Sequence, residues 1–258
     1  MLKKRIIPKF LIQNGRLVKA QQFHNNFREA GNPVSTARVY NDYGVDEIIF
    51  LDIEASPSGR QTVVEVIKKA SEAIFMPFTV GGGIRSIADI NELLRAGADK
   101  VAINTAALDN PVFIEQAAYK YGSQCLTIAI DYREVEKGKF RVFSNGGYRI
   151  TDWDPLEWSR RMEAAGCGEI ILCSIDRDGM MSGYDLDMLE KASAMLRIPV
   201  IASSGAGSLE DCCRAFESGA AAIAISSMFL FTDHSPIKVR SYLASQHISV
   251  RASRNSRN

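Results

Sequence analysis

The sequence predicts an α/β fold, a (β/α)8 barrel, over residues 1–247 as a single domain. Three observations carry this. Eight short β-rich runs alternate with longer helical patterns, which is the signature of parallel strands covered by crossover helices. The chain has 258 residues, a length that suits eight such units. An internal repeat divides the chain into two halves.

The strands follow in order. RIIPKFLI (5–12), EIIFLDI (47–53), PFTVGG (77–82) and KVAINTA (100–106) form the first half. CLTIAIDY (125–132), EIILCSID (169–176), PVIASSG (199–205) and AAIAISSM (221–228) form the second. Between them lie amphipathic helices such as SIADINELLRAG (86–97) and DPLEWSRRMEAAG (154–166). A hairpin-like insert, KGKFRVFSNGGYR (137–149), follows the fifth strand. The ending RASRNSRN is polar and basic, so residues 248–258 are expected to be a disordered tail.

The repeat is ungapped. VGGGIRSIADINELLRAGADKVAINTAA (80–107) lies on ASSGAGSLEDCCRAFESGAAAIAISSMF (202–229) at an offset of 122. Gly83/Gly205, Ser86/Ser208, Asp89/Asp211, Gly97/Gly219 and Ile103/Ile225 match. The same offset pairs Glu47-Ile48-Ile49 with Glu169-Ile170-Ile171, as two half-barrels would.

Composition excludes several classes. Apolar content is 46%, charged content 24% and net charge +1, which gives no general attraction to nucleic acid or membrane surfaces. The five cysteines form no CxxC pair and suit a reducing cytoplasm. The three histidines are scattered, so no metal site is expected, and no cofactor is implied. No apolar run has membrane length and MLKKRIIP is too short for a signal peptide.

A barrel carries its functional groups at the C-terminal ends of its strands. TVGGGIRS places Gly82 and Gly83 after the third strand, beside Asn104 and Thr105 after the fourth. The repeat supplies Gly205-Ala206-Gly207 and Ser226-Ser227. Glycine lets backbone approach an anion, and helix N-termini after such loops favour phosphate. The same glycines would also serve tight turns. Two symmetric loops favour a small-molecule ligand with a phosphate at each end. Asp52, Asp131, Asp176 and Asp178 stand at strand ends. Asp131 is a candidate general acid or base or a ligand contact, whereas Asp176 reads as structural. Lys19, on the loop after the first strand, fits a cationic lid over an anion and equally a solvated lysine. Arg5, Glu47, Lys100 and Glu169 are charges at strand starts, able to pair as two salt bridges at the barrel bottom, where side chains usually serve stability.

Taken together, NGRLVK, DEIIFLDIEAS, FTVGGGIRS, GADKVAINTAA, AIDYR, GCGEIIL, SIDRDG and GAG resemble the HisF family, the cyclase subunit of imidazole glycerol phosphate synthase. The resemblance implies a TIM barrel that binds the doubly phosphorylated nucleotide PRFAR. It also implies a heterodimer with a HisH-like glutaminase, whose ammonia crosses the barrel from bottom to top. It assigns Gly82, Gly83, Asn104 and Thr105 to one phosphate of the ligand. Asp178, Gly179, Gly205, Ala206, Ser226 and Ser227 go to the other, Lys19 matches the family's loop-one lysine, and Asp52 and Ser203 are further expected ligand-binding residues. Arg5, Glu47, Lys100 and Glu169 match the family's ammonia gate, and Asp99 its glutaminase interface.

The departures lie at the top. Of the family's two catalytic aspartates the second is present as Asp131, but the first falls at Leu11, in IPKFLIQNGR. Lys9 replaces a small residue, Cys173 and Met180 replace threonines, and Ser204 replaces a glycine. Leucine moves no proton. The pattern resembles a HisF-like, WbuZ-type branch of surface-polysaccharide synthesis, in which the pair supplies ammonia to a nucleotide-sugar amidotransferase. Two other readings stand beside it: an active cyclase converting PRFAR and ammonia to imidazole glycerol phosphate and AICAR, and a phosphate-ligand binding protein that regulates a partner.

Overall fold

A computed structural model describes residues 3–56, 58 and 64–251. The strands are β1 (Arg5–Gln13), β2 (Arg16–Gln21), β3 (Asn25–Gly31), β4 (Ile48–Asp52), β5 (Phe78–Gly81), β6 (Lys100–Ile103), β7 (Leu126–Glu136), β8 (Lys139–Ser144), β9 (Arg149–Ile150), β10 (Glu169–Ser174), β11 (Val200–Ser203) and β12 (Ala222–Ile225). Eight of them, β1, β4, β5, β6, β7, β10, β11 and β12, pair in parallel in that order. The β12–β1 pairing closes the ring. This is the (β/α)8 TIM barrel, with the eight expected runs as its strands.

The helices α1 (Pro33–Asp42), α2 (Val64–Ser71), α3 (Ile87–Arg95), α4 (Thr105–Asp109), α5 (Val112–Tyr121), α6 (Pro155–Ala164), α7 (Leu186–Met195), α8 (Leu209–Glu217), α9 (Ser227–Phe231) and α10 (Pro236–Ser245) connect the strands. The repeat is written in their caps. Ser86 and Asp89 close a capping box on α3, and Ser208 and Asp211 close the same box on α8. Each box satisfies two otherwise orphaned N–H groups, which starts both helices at equivalent places. Helices α1, α6 and α10 begin with proline at the first turn after Asn32, Asp154 and Ser235 caps.

Strand alternation divides the core in two. Ile7, Ile49, Ile171, Ile201, Ala222 and Ala224 point inward and fill the barrel. The outward set, including Ile6, Ile48, Phe50, Ile128, Ile170 and Ile223, packs under the helices. Each buried isoleucine contributes about 1.5–3 kcal/mol by leaving water.

Two hairpins rise above the barrel. The insert after the fifth barrel strand is β7 running out to pair antiparallel with β8, which then pairs with β9. The segment after β1, expected as a loop, is instead the β2–β3 hairpin, with β2 antiparallel to β1. Its strand β3 is almost wholly exposed, so pairing rather than an apolar pattern makes it a strand. Within the stretch expected as a tail, Ser249 carbonyl accepts from Lys4 N–H at 3.1 Å and Val250 bridges Lys4. Residues 252–258 lie outside the described residues.

Candidate functional site

At the C-terminal ends of the strands lies a cavity of about 480 Å³. Leu11, Asp52, Gly82, Gly83, Asn104, Thr105, Asp131 and Asp178 all line it, so residues read from six separate motifs converge on one space. Apolar Leu51, Ala102 and Ala129 form its lower wall. Phe23, His24 and Phe27 from the β2–β3 hairpin and Tyr148 from the β8–β9 connection form its mouth. The His24 and Tyr148 rings stack with centroids 4.1 Å apart, joining the two hairpins across the opening. Burial, helped by Arg133, lowers the His24 pKa.

The register locates Leu11. It pairs with Leu51, while Asp131 pairs with Cys173. Leu51 and Cys173 are themselves related by the offset of 122. Leu11 and Asp131 therefore occupy equivalent places in the two half-barrels, one apolar and one acidic.

Asp131 accepts from Asn104 Nδ2 at 2.9 Å. Burial pushes its carboxyl up to about 6, against the pull of Lys9 and a hydrogen bond from Cys173. In the folded chain it therefore keeps its proton to higher pH than when unfolded. Its contribution to stability is full below about pH 4 and falls as pH rises through about 6, by about 2–3 kcal/mol in all. Asp131→Asn removes that cost. The variant should raise the urea midpoint at pH 8 and leave it nearly unchanged at pH 4. A midpoint unchanged at pH 8 would contradict the shift.

Lys9 is the group that sequence reasoning left without a role. It is 3% exposed, and its Nζ donates to Ser203 Oγ at 2.8 Å and to Cys173 Sγ at 3.5 Å. It also lies 3.6 Å from Asp178 Oδ1. Burial alone would lower its pKa, but Cys173, Asp178 and Asp131 outweigh burial and raise it, so Lys9 stays charged. The signal was present: Arg5, Ile7, Lys9 and Leu11 alternate inward along β1, and a charge at the third of these must point into the barrel. Lys19 is not on a free loop. It sits in β2, equally buried, bonded to Asp178 Oδ2. Asp178 is held below the usual carboxylate range because Lys19 and Lys9 outweigh its burial. A second, small space beside this cluster is lined by Lys19, Gly179, Gly205, Ala206, Ser226 and Ser227. Asp176 lies outside both spaces and pairs with Arg133 at 3.0 Å, not with its neighbour Arg177.

The opposite end of the barrel carries the four strand-start charges. Arg5 bonds Glu47 at 2.9 Å and Glu169 at 2.5 Å; Lys100 bonds the same two at 3.0 and 2.7 Å. The two expected salt bridges are thus a closed ring of four, alternating in sign. Thr79 Oγ1 donates to Glu47 at 2.6 Å from just above. Asp99 is exposed beside the ring, its carboxylate accepting from Phe78 N–H at 2.9 Å.

Among the described residues no group of three or more His, Cys, Asp or Glu is placed to hold a metal ion, and no helix is long and apolar enough to cross a membrane. Residues 5–235 match the family model described as histidine biosynthesis protein.

Proposed function

Since the chain belongs to the histidine biosynthesis protein family, we propose that it is a HisF-like synthase subunit that passes ammonia and does not cyclise. Ammonia from a HisH-like glutaminase enters at the four-charge ring, follows the apolar barrel interior, and leaves at the upper cavity. The acceptor is a second enzyme, a nucleotide-sugar amidotransferase of surface-polysaccharide synthesis.

One observation carries the reading: Leu11 occupies the place equivalent to Asp131, so the cavity has one acid where a two-acid mechanism needs a pair. Loss of a general acid or base costs about 10²–10⁴ in rate. The lower ring meanwhile keeps all four charges, with Asp99 beside it for the glutaminase. The apolar layer of Ile7, Ile49, Ile171 and Ile201 above the ring suits a small neutral molecule better than an ion.

The test is PRFAR consumption by the purified chain with saturating ammonium. No turnover is expected. With a glutaminase partner and glutamine, ammonia should reach the acceptor enzyme without equilibrating with a bulk ammonia trap. Ready PRFAR turnover would return the chain to the cyclase reading in histidine biosynthesis.

A further inference from the structure

Strand register fixes the height of each inward side chain, because a barrel staggers its strands as it closes. Start at Lys9, follow the pairings around the ring, and rise one residue at each strand. The path returns to Lys9 and meets Gly81, Ala129 and Ser203 on alternate strands. These residues form one layer of the barrel interior. By the same register the layer below is Ile49, Ala102, Ile171 and Ala224, and the next is Ile7, Thr79, Thr127 and Ile201. Bulk is shared unevenly among them. The wall of β5, β6 and β7 carries small side chains throughout: Thr79 and Thr127, then Ala102, then Gly81 and Ala129. The wall of β1 and β11 carries Ile7 and Ile201, and above Ile7 stands Lys9.

Lys9 has the only long side chain in its layer. Protein interiors are packed to crystal density, and glycine, alanine and serine leave that task to the lysine. Its Nζ is drawn to Ser203 Oγ and Cys173 Sγ and faces Asp178 Oδ1, so the side chain lies over the β10–β11 side of the layer. The upper cavity reaches down on the other side, where Ala102 and Ala129 line it opposite Lys9. Ala224, which faces Ala102 across their layer, lines the small second space instead. The opening beside Ala102 is narrow. A Cβ added at Gly81 would lie 2.7 Å from Leu51 Cδ2 and 2.9 Å from Ala102 Cβ. Beneath it Thr127 Oγ1 is buried with no protein partner. An unpaired buried hydroxyl is costly, and a small neutral hydrogen-bonding molecule at that point would satisfy it.

We propose that Lys9 is a positioning residue for the ammonia route: its side chain closes the β1–β11 side of the interior and confines passage to the wall of β5, β6 and β7. Ammonia then moves past Thr127, Ala102 and Ala129 and emerges on the side of the cavity that holds Asn104 and Asp131. The proposal rests on the ammonia-passage reading above. It adds which half of the interior carries the molecule and which residue decides it.

The experiment compares transfer to the acceptor enzyme driven by glutamine with transfer driven by free ammonium, in the complex with the glutaminase. Ala129→Leu fills the open side of the Lys9 layer. It should cut glutamine-driven transfer by about tenfold or more and leave ammonium-driven transfer unchanged. Adding Lys9→Ala empties the other side and should restore glutamine-driven transfer to within about threefold of the natural chain. Adding Lys9→Met instead keeps the bulk without the charge and should restore nothing. Ala224→Leu overpacks the far wall and should leave glutamine-driven transfer within about threefold. Full glutamine-driven transfer in Ala129→Leu, or no rescue by Lys9→Ala, would overturn the proposal. Equal losses in Ala129→Leu and Ala224→Leu would also overturn it, while ammonia passage itself would stand. Failure of the passage reading looks different: in the natural chain, glutamine-derived ammonia would equilibrate with a bulk trap. Should Ala129→Leu not fold, Ala129→Val with the same Lys9→Ala rescue decides.

Discussion

Leu11→Asp should raise PRFAR cyclisation with saturating ammonium by about 10²–10⁴ over the natural sequence. The side chain lies on the cavity wall, in the half-barrel place equivalent to Asp131. An aspartate there would restore the pair of acids. It would also be costly. Leu11 is only 7% exposed, so a carboxylate in its place would be poorly solvated, at about 1–3 kcal/mol in stability. The gain should appear in kcat, because the substitution adds an acid and leaves the other cavity-lining residues in place. Steady-state kinetics of the variant beside the natural chain check this. A Leu11→Asp chain that folds, binds phosphate and remains inert would mean that the cavity lost more than one acid.

Lys100→Glu should have the largest effect at the other end. In the natural ring each glutamate meets both cations, and the Glu47 side chain is 3% exposed. Reversing Lys100 would leave three carboxylates around Arg5 alone. Breaking buried pairs in this way costs about 3 kcal/mol, or about 6–12 °C in Tm for a chain of this size. The ring is also where ammonia would enter, so glutamine-dependent transfer to the acceptor should fall by about tenfold or more, by analogy with other charge barriers. Transfer supported by free ammonium should persist. Lys100→Met, which removes the charge without reversing it, separates the two effects: it should destabilise less and open the passage. Unchanged glutamine-dependent transfer in folded Lys100→Glu would sink the conduit.

The sequence by itself determined the barrel, because strand and helix signals are local. The alternating apolar runs, the glycines after the third and seventh barrel strands, and the Ser-x-x-Asp boxes at Ser86 and Ser208 act over a few residues and are written twice. It also determined which strand-end side chains would meet at the top, since in a parallel barrel all eight strands end on one face. It did not show the β2–β3 hairpin, whose exposed second strand exists by pairing alone. Nor did it show the His24–Tyr148 stack, which depends on two hairpins leaning together although these residues lie 124 positions apart in the chain. Lys19 and Lys9 read from sequence as a lid lysine and a replaced small residue; only closure of the barrel brings both to Asp178, 159 positions away from Lys19. The four charges likewise read as two pairs until Arg5 met Glu169, 164 residues on. The physical reason is the same throughout. Period-two alternation says which face a side chain takes, but which partner it finds inside a closed barrel is set by register and closure among strands far apart in the chain, and a buried charge takes its role from that partner.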